Sequence, residues 1–319
     1  MSEVGMTPQA RIAIIGAGHV GATAAYALML RGLFSEIVLI DSNAALAVAQ
    51  AADIADANAL GRPTRIRAGS YSDTTSATIA VITAGAATHG DESRLDVAAR
   101  SAVIVQNCVQ ALVAASFAGV IIVAANPVDL MALVASRHAN LPAGRIIGTG
   151  TLLDSCRLRQ QLAARFKVAP MAVEGSVLGE HGDSSVSAFS TVRVGGLPLQ
   201  LWEPAMTDAD RSALAIKVHR EGYDIVDGKG FTSFGIATAI VRICEAVQRD
   251  EHMVLPVSCR LTGEFGIADL FLSLPCVLGA AGIERVLVPD LEATELAALA
   301  RSAATLRSAL ATLDQREPA

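Results

Sequence analysis

Aromatic side chains are scarce in this chain: Phe, Tyr and Trp make up 4% of its 319 residues, and charged residues only 18%. A core must therefore be assembled from Ala, Val, Leu and Ile, a palette that suits parallel sheets covered by helices. Cysteine is sparse as well. Cys108, Cys156, Cys244, Cys259 and Cys276 stand far apart with no CxxC pair, which argues against a disulfide framework or a zinc site and for thiols in a reducing compartment. Lys and Arg are scattered rather than clustered, and the net charge is -6, so no electrostatic footprint for nucleic acid exists. Residues Met1 to Gln9 lack a basic segment followed by an apolar run, and no secretory signal is visible. The apolar stretch Val109 to Ala125 is interrupted by Gln110, Ser116 and Gly119. It reads as a helix end, a turn and a buried strand rather than a membrane span of about 20 apolar residues. A cytoplasmic protein, without membrane or nucleic-acid partners, is the expectation.

What is present begins with a β-branched run, Ile12 to Ile15, that ends in Gly16-Ala17-Gly18-His19-Val20-Gly21 and passes into the helix-forming Ala22 to Leu30. A second strand, Ile37 to Ile40, ends in Asp41, twenty residues after Gly21. GxGxxG alone is weak, but strand, glycine turn, helix, strand and acid in this order describe a dinucleotide site. Gly16 permits the tight turn, Gly18 the approach of backbone to pyrophosphate, and Gly21 close helix packing, while the helix N-terminus faces the phosphates. Asp41 accepts ribose hydroxyls and repels a 2′-phosphate, so NAD is preferred over NADP. His19 reads as facing solvent or the phosphates, not as catalytic.

Alternation continues with helix 44–60, strand 79–83, helix 94–115, strand 119–124, helix 128–137 and strand 145–148. The expectation is an α/β fold, a Rossmann-type doubly wound parallel sheet over residues 1–150, followed by a mixed α+β catalytic domain over residues 151–319. In the second part, helices are expected at 152–165, 208–226, 233–249 and 292–313. Strands are expected at 172–178, 185–194, 254–257 and 270–274, with a hairpin turn at Gly195-Gly196. Ligands of such sheets bind beyond the carboxyl ends of the strands, which directs attention to 85–95 and 126–129.

One pentad asks for a chemical reading: Gly179-Glu180-His181-Gly182-Asp183. By itself His181 is as readily a structural hydrogen bonder as a proton carrier. Likewise Asp154 and Arg157, three residues apart on a helix, can be a plain intrahelical ion pair, and Arg94 can be an ordinary residue at a helix start.

Together these segments resemble the lactate and malate dehydrogenase family, its lactate and 2-hydroxyisocaproate branches more than the malate one. The resemblance runs from about Arg11 to Leu313. It rests on Gly16 to Gly21, Ala125-Asn126-Pro127-Val128-Asp129, Gly148 to Arg157, Gly179 to Asp183 and Gly228-Lys229-Gly230-Phe231-Thr232-Ser233. It implies an NAD-dependent L-2-hydroxyacid dehydrogenase, of L-lactate type, that acts as a homodimer or homotetramer on a small 2-oxo or 2-hydroxy acid. His181 would exchange the proton and Asp154 would orient its ring. Arg157 would grip the substrate carboxylate with parallel N–H donors, and Arg94, on a closing loop, would polarise the carbonyl. Asn126 would donate to the substrate oxygen or hold the nicotinamide, and Thr232 would lie beside the substrate side chain.

The chain departs from the family pattern six residues before Arg94. Thr88 stands where lactate enzymes carry Gln and malate enzymes carry Arg. Without that arginine the second carboxylate of oxaloacetate is left unpaired in a dry site, so a malate dehydrogenase is the lesser alternative, kept open by His89. A catalytically silent NAD-binding protein is the alternative from another class. Many bacterial relatives respond to fructose 1,6-bisphosphate. Here Arg159 matches that site but Glu174 opposes it, and no activation is expected.

Overall fold

The structure, a computed structural model, describes residues 10–86 and 94–315, without the side chains of Arg94 and Leu95. Its first part alternates as expected: β1 (Arg11–Ile15), α1 (His19–Arg31), β2 (Glu36–Ile40), α2 (Ala44–Asn58), β3 (Arg65–Ala68), β4 (Ala77–Ile82), α3 (Arg94–Ala114), β5 (Val120–Val123), α4 (Val128–His138) and β6 (Ile146–Gly148). The second part holds α5 (Leu152–Phe166), five two-residue strands, β7 (Val173–Glu174), β8 (Val177–Leu178), β9 (Val186–Ser187), β10 (Arg193–Val194) and β11 (Leu197–Pro198), and then α6 (Leu199–Trp202), α7 (Asp208–Lys229) and α8 (Phe234–Gln248). It closes with β12 (Met253–Thr262), β13 (Ala268–Gly279), β14 (Gly282–Val286) and α9 (Ala293–Asp314).

Six parallel strands lie in the order β6-β5-β4-β1-β2-β3. Helices cover both faces, which is why β2 and β5 are buried at every position and, apart from Glu36 at the start of β2, read as Ile, Val and Leu. The carboxyl ends of β1, β2, β4 and β5 therefore gather Gly16, Asp41, Thr83 and Asn126 along one edge, as doubly wound sheets require. The stretch Val109 to Ala125 resolves into the end of α3, a turn and β5. Residues 96–114 of α3 are long and apolar enough to cross a membrane by length and composition, but Ala102, Val105, Val109 and Leu112 are buried in the core.

Three features depart from the expectation. β3 was not foreseen, because its RIRA sequence has one large apolar residue. It is an edge strand held by charge: Arg67 reaches Glu36 and Asp73, each at 2.7 Å, and Glu36 also pairs with Arg11. The strands expected at 254–257 and 270–274 lie within a longer ribbon, β12 and β13, which with β14 extends the sheet antiparallel from β6 through the pairing of Ser258 with Gly148. The sheet and the largest core cluster, which includes Ile12 and Leu313, thus run through both parts of the chain. Finally, the strand expected at 172–178 breaks into β7 and β8, and the one at 185–194 is interrupted by a 3-10 turn at Phe189–Thr191. The Gly195-Gly196 hairpin joins β10 to β11, with both glycines at positive φ (56° and 82°) as a two-residue turn demands.

Ile122, fully buried in β5, is covered on both faces. Ile122→Ala is expected to cost about 3 kcal/mol, read from the urea unfolding midpoint; an unchanged midpoint would contradict this packing.

Candidate active site

The loop that carries His181 is pinned residue by residue. Gly179 exchanges two backbone bonds with Ser273, 3.0 and 2.9 Å. It sits at φ +85°, and a Cβ there would lie 2.7 Å from Ser302 Oγ, so only glycine fits. Glu180 N–H donates to that same Ser302 Oγ at 2.8 Å. His181 N–H donates to Asp129 Oδ2 at 2.7 Å. Three successive amides are thus tied to β13, α9 and α4, which leaves the imidazole little backbone freedom.

The ring is fixed from another side. His181 Nδ1 lies 2.6 Å from Asp154 Oδ2, and Asp154 Oδ1 accepts from Arg157 Nη1 at 3.0 Å. Asp154 stands in the first turn of α5, where the helix dipole favours a carboxylate. Burial opposes ionisation of Asp154, yet the His181 and Arg157 charges outweigh it and hold the carboxyl below its usual range. Burial likewise favours neutral His181, but the facing Asp154 wins and the imidazole is raised above its ordinary value. With Nδ1–H committed to Asp154, Nε2 is the nitrogen that can exchange a proton with a ligand.

Asp129 is a site residue that the sequence shows only as part of the Ala125 to Asp129 motif. It is 1% exposed, within α4 where Val128 to Ala135 are all buried, and burial pushes its pKa up to about 6. Its oxygens are satisfied by His181 N–H and by Ser258 Oγ–H at 2.5 Å. An acid inside an otherwise apolar helical run was the available signal, since a buried carboxylate needs partners.

Arg157 is buried, and among the described residues its hydrogen-bond partner is Asp154. The guanidinium lies against α7 at Gly222, where a Cβ would come within 3.4 Å of both terminal nitrogens. The ion-pair reading of Asp154 and Arg157 is therefore correct as geometry, and it puts a guanidinium beside the His181 ring. Asn126 is exposed just beyond β5, joined by a cis bond to Pro127. Thr232 is half-buried in the connection from α7 to α8. Arg94 opens α3, but its side chain, and Thr88 and His89 altogether, lie outside the described residues.

The glycine turn at the end of β1 has the expected physical differentiation. Gly16 has φ +103°, and a Cβ on it would lie 2.7 Å from Ala84 N; one on Gly21 would lie 1.9 Å from Gly16 O. Among the described residues a Cβ on Gly18 meets nothing within 4 Å, the open approach that a pyrophosphate needs. Gly18 is the N-cap of α1, and no side chain caps the helix, so the first amides of α1 face that space. Asp41 braces the turn by accepting from Ala17 N–H at 2.6 Å and Asn43 N–H at 2.8 Å, and Thr83 Oγ1 donates to Gly16 O at 2.9 Å.

Comparison with known proteins agrees with this geometry. The NAD-binding domain of lactate/malate dehydrogenase matches residues 10–148, and the α/β C-terminal domain of the same family matches residues 151–316. The chain belongs to the lactate/malate dehydrogenase family. It is similar to the L-lactate dehydrogenase of Nitratidesulfovibrio vulgaris, 42% identical over 95% of this chain and 99% of the relative. The L-lactate dehydrogenase of Thermus aquaticus is 39% identical over the same shares. Among solved structures, the minor L-lactate dehydrogenase of Enterococcus mundtii in its ligands-bound form superposes with TM-score 0.94 at 34% identity, covering 98% of this chain and all of that one. Malate dehydrogenase of Salinibacter ruber superposes with TM-score 0.88 at 31% identity, covering 96% and 98%. The protein is accordingly an NAD-dependent oxidoreductase, and the open cradle at Gly18 fits that cofactor.

The Asp154–His181 pair makes stability depend on pH with a definite sign. Asp154 is lowered from 3.8 and His181 raised from 6.5. The pair's stabilisation is therefore complete between those values. It is lost as pH falls through the folded Asp154 and as pH rises through the folded His181. His181→Gln is expected to remove the alkaline loss, so wild-type and variant urea midpoints should converge as pH rises above 6.5; curves that stay parallel would contradict the pairing.

Proposed function

We propose that the chain is an NAD-dependent L-lactate dehydrogenase that reduces pyruvate to L-lactate and accepts longer 2-oxo acids. The observation that carries the reading is the unit His181–Asp154–Arg157, a proton carrier and a guanidinium held by one carboxylate, in a chain whose first part binds NAD. Bound NADH supplies the hydride. Arg157 holds the substrate carboxylate in a bidentate grip. His181 donates the Nε2 proton to the developing alkoxide, and Asp154 stabilises the imidazolium and fixes its tautomer. Arg94 polarises the carbonyl, Asn126 steadies the substrate oxygen or the nicotinamide, and Thr88 and Thr232 border the substrate side chain. On the cofactor side, Gly16, Gly18 and Gly21 receive the pyrophosphate and Asp41 the ribose hydroxyls.

Support for lactate over malate comes from Thr88, which offers no cation to a second carboxylate, and from the relatives at about 40% identity, which are L-lactate dehydrogenases. Division into an NAD-binding part, 1–150, and a substrate-binding part, 151–319, is supported by the two family domains meeting between residues 148 and 151. A cytoplasmic homodimer or homotetramer is supported by five cysteines spaced without a CxxC pair and by exposed apolar side chains: Tyr26, Leu30, Val48, Ile216, Val226 and Phe234. Arg159 gives its Nε–H to Gly175 O at 2.9 Å and Glu174 is exposed, consistent with no fructose 1,6-bisphosphate response.

Steady-state kinetics with pyruvate, 2-oxobutyrate, 2-oxoisocaproate, phenylpyruvate and oxaloacetate, each with NADH and NADPH, test this. The expected outcome is a higher kcat/KM on pyruvate than on oxaloacetate, by at least about tenfold, and a preference for NADH. A kcat/KM highest on oxaloacetate would overturn the assignment.

A further inference from the structure

The connection that carries Thr232, between α7 and α8, is held by stacked rings. Gly228 stands in the last turn of α7, and Gly230 caps the helix at φ +85°, its N–H bonded to Val226 O. Phe231 is half-buried, yet it packs into neither hydrophobic cluster. Its cover is the imidazole of His19, the first residue of α1 inside the glycine turn: the rings stack with centroids 3.9 Å apart and planes 7° from parallel. Lys229 Nζ lies 4.6 Å from the Phe231 centroid and 4.4 Å from that of Phe234, adding a cation–π contact to each ring.

The same piece of chain is seated on the substrate side at both ends. Before it, Gly222 of α7 lies against the Arg157 guanidinium. After it, Gly235 of α8 abuts Leu153, where a Cβ would fall 3.0 Å from Leu153 Cδ1, one residue from Asp154. Residues 222–235 therefore meet α5 at Gly222 and Gly235 and the cofactor turn at Phe231, flat ring on flat ring.

We infer that the His19–Phe231 stack is a joint through which the cofactor turn positions Thr232, an inference that rests on the reading of this site as a 2-oxo acid reductase. A phenyl ring outside any core takes its place from the surface it stacks on. When the imidazole face is removed, Phe231 and the adjoining Thr232 lose their seat while Arg157, Asp154 and His181 keep theirs, because those are held by separate bonds. His19 is thus a positioning residue for substrate, acting through Phe231 from within a turn that itself serves the cofactor.

The test uses the full-length enzyme and its His19→Ala, Phe231→Ala, double and His19→Phe variants, the last preserving a flat ring. The measurements are KM and kcat for pyruvate at saturating NADH, the NADH dissociation constant by fluorescence, and hydrogen exchange of amides 230–233. The joint predicts KM raised about fivefold in either alanine variant, the increment of one stacked ring pair, with kcat within about twofold. It also predicts no further rise in the double variant, recovery in His19→Phe, and faster exchange at 230–233 in His19→Ala. An effect confined to the NADH dissociation constant, additive effects in the double variant, or no effect overturns it. If the wild type reduces no 2-oxo acid, the functional reading fails separately. Hydrogen exchange then decides the joint alone: faster exchange in His19→Ala supports it, and unchanged exchange overturns it.

Discussion

The bond between His181 Nδ1 and Asp154 Oδ2, 2.6 Å long, is the interaction on which the rest of the site depends. An imidazole in a buried setting tends toward its neutral form; a facing carboxylate reverses that tendency and so makes a proton available near neutrality. The carboxylate must in turn remain ionised despite its own burial, and Arg157 from the next turn of α5 helps to keep it so. The fold supplies what a side-chain bond alone lacks, a fixed backbone: Ser273, Ser302 and Asp129 hold three consecutive amides. His181 is thus oriented through its ring by α5 and through its main chain by β13, α9 and α4.

Two carboxylates meet the same histidine with opposite consequences. Asp154 faces the ring and a guanidinium, and is held low; Asp129 faces an amide and a hydroxyl, and is pushed up to about 6. Both are buried and burial raises each, but at Asp154 the facing His181 and Arg157 outweigh it, and at Asp129 burial prevails. One carboxylate tunes the proton, and the other anchors the chain that carries it.

How much of this could be read in the sequence follows the range of each interaction. Glycine turn, buried strands and intervening helices are written in local periodicity, and they stand within a few residues of the expected places. β3 and β14 escaped because edge strands need little apolar sequence, and Glu36 with Arg11 and Arg67 does at β3 what side-chain burial does elsewhere. In the site, Asp154 and Arg157 were legible through spacing, and their link to His181 through family motifs. Asp129 and Ser258 meet from positions 129 residues apart, and His19 meets Phe231 across most of the chain; no local pattern encodes such contacts. Side-chain selectivity, expected at Thr88, lies outside the described residues.

The central claim is that Asp154 makes His181 a proton donor near neutrality, and the pH profile of kcat/KM for pyruvate reduction tests it most directly. Reduction needs protonated His181, so the rate falls as pH rises through its raised pKa. Asp154→Asn removes the carboxylate that raises that pKa, and the alkaline limb is predicted to move to lower pH. A limb that stays at the wild-type pH in Asp154→Asn would contradict the account.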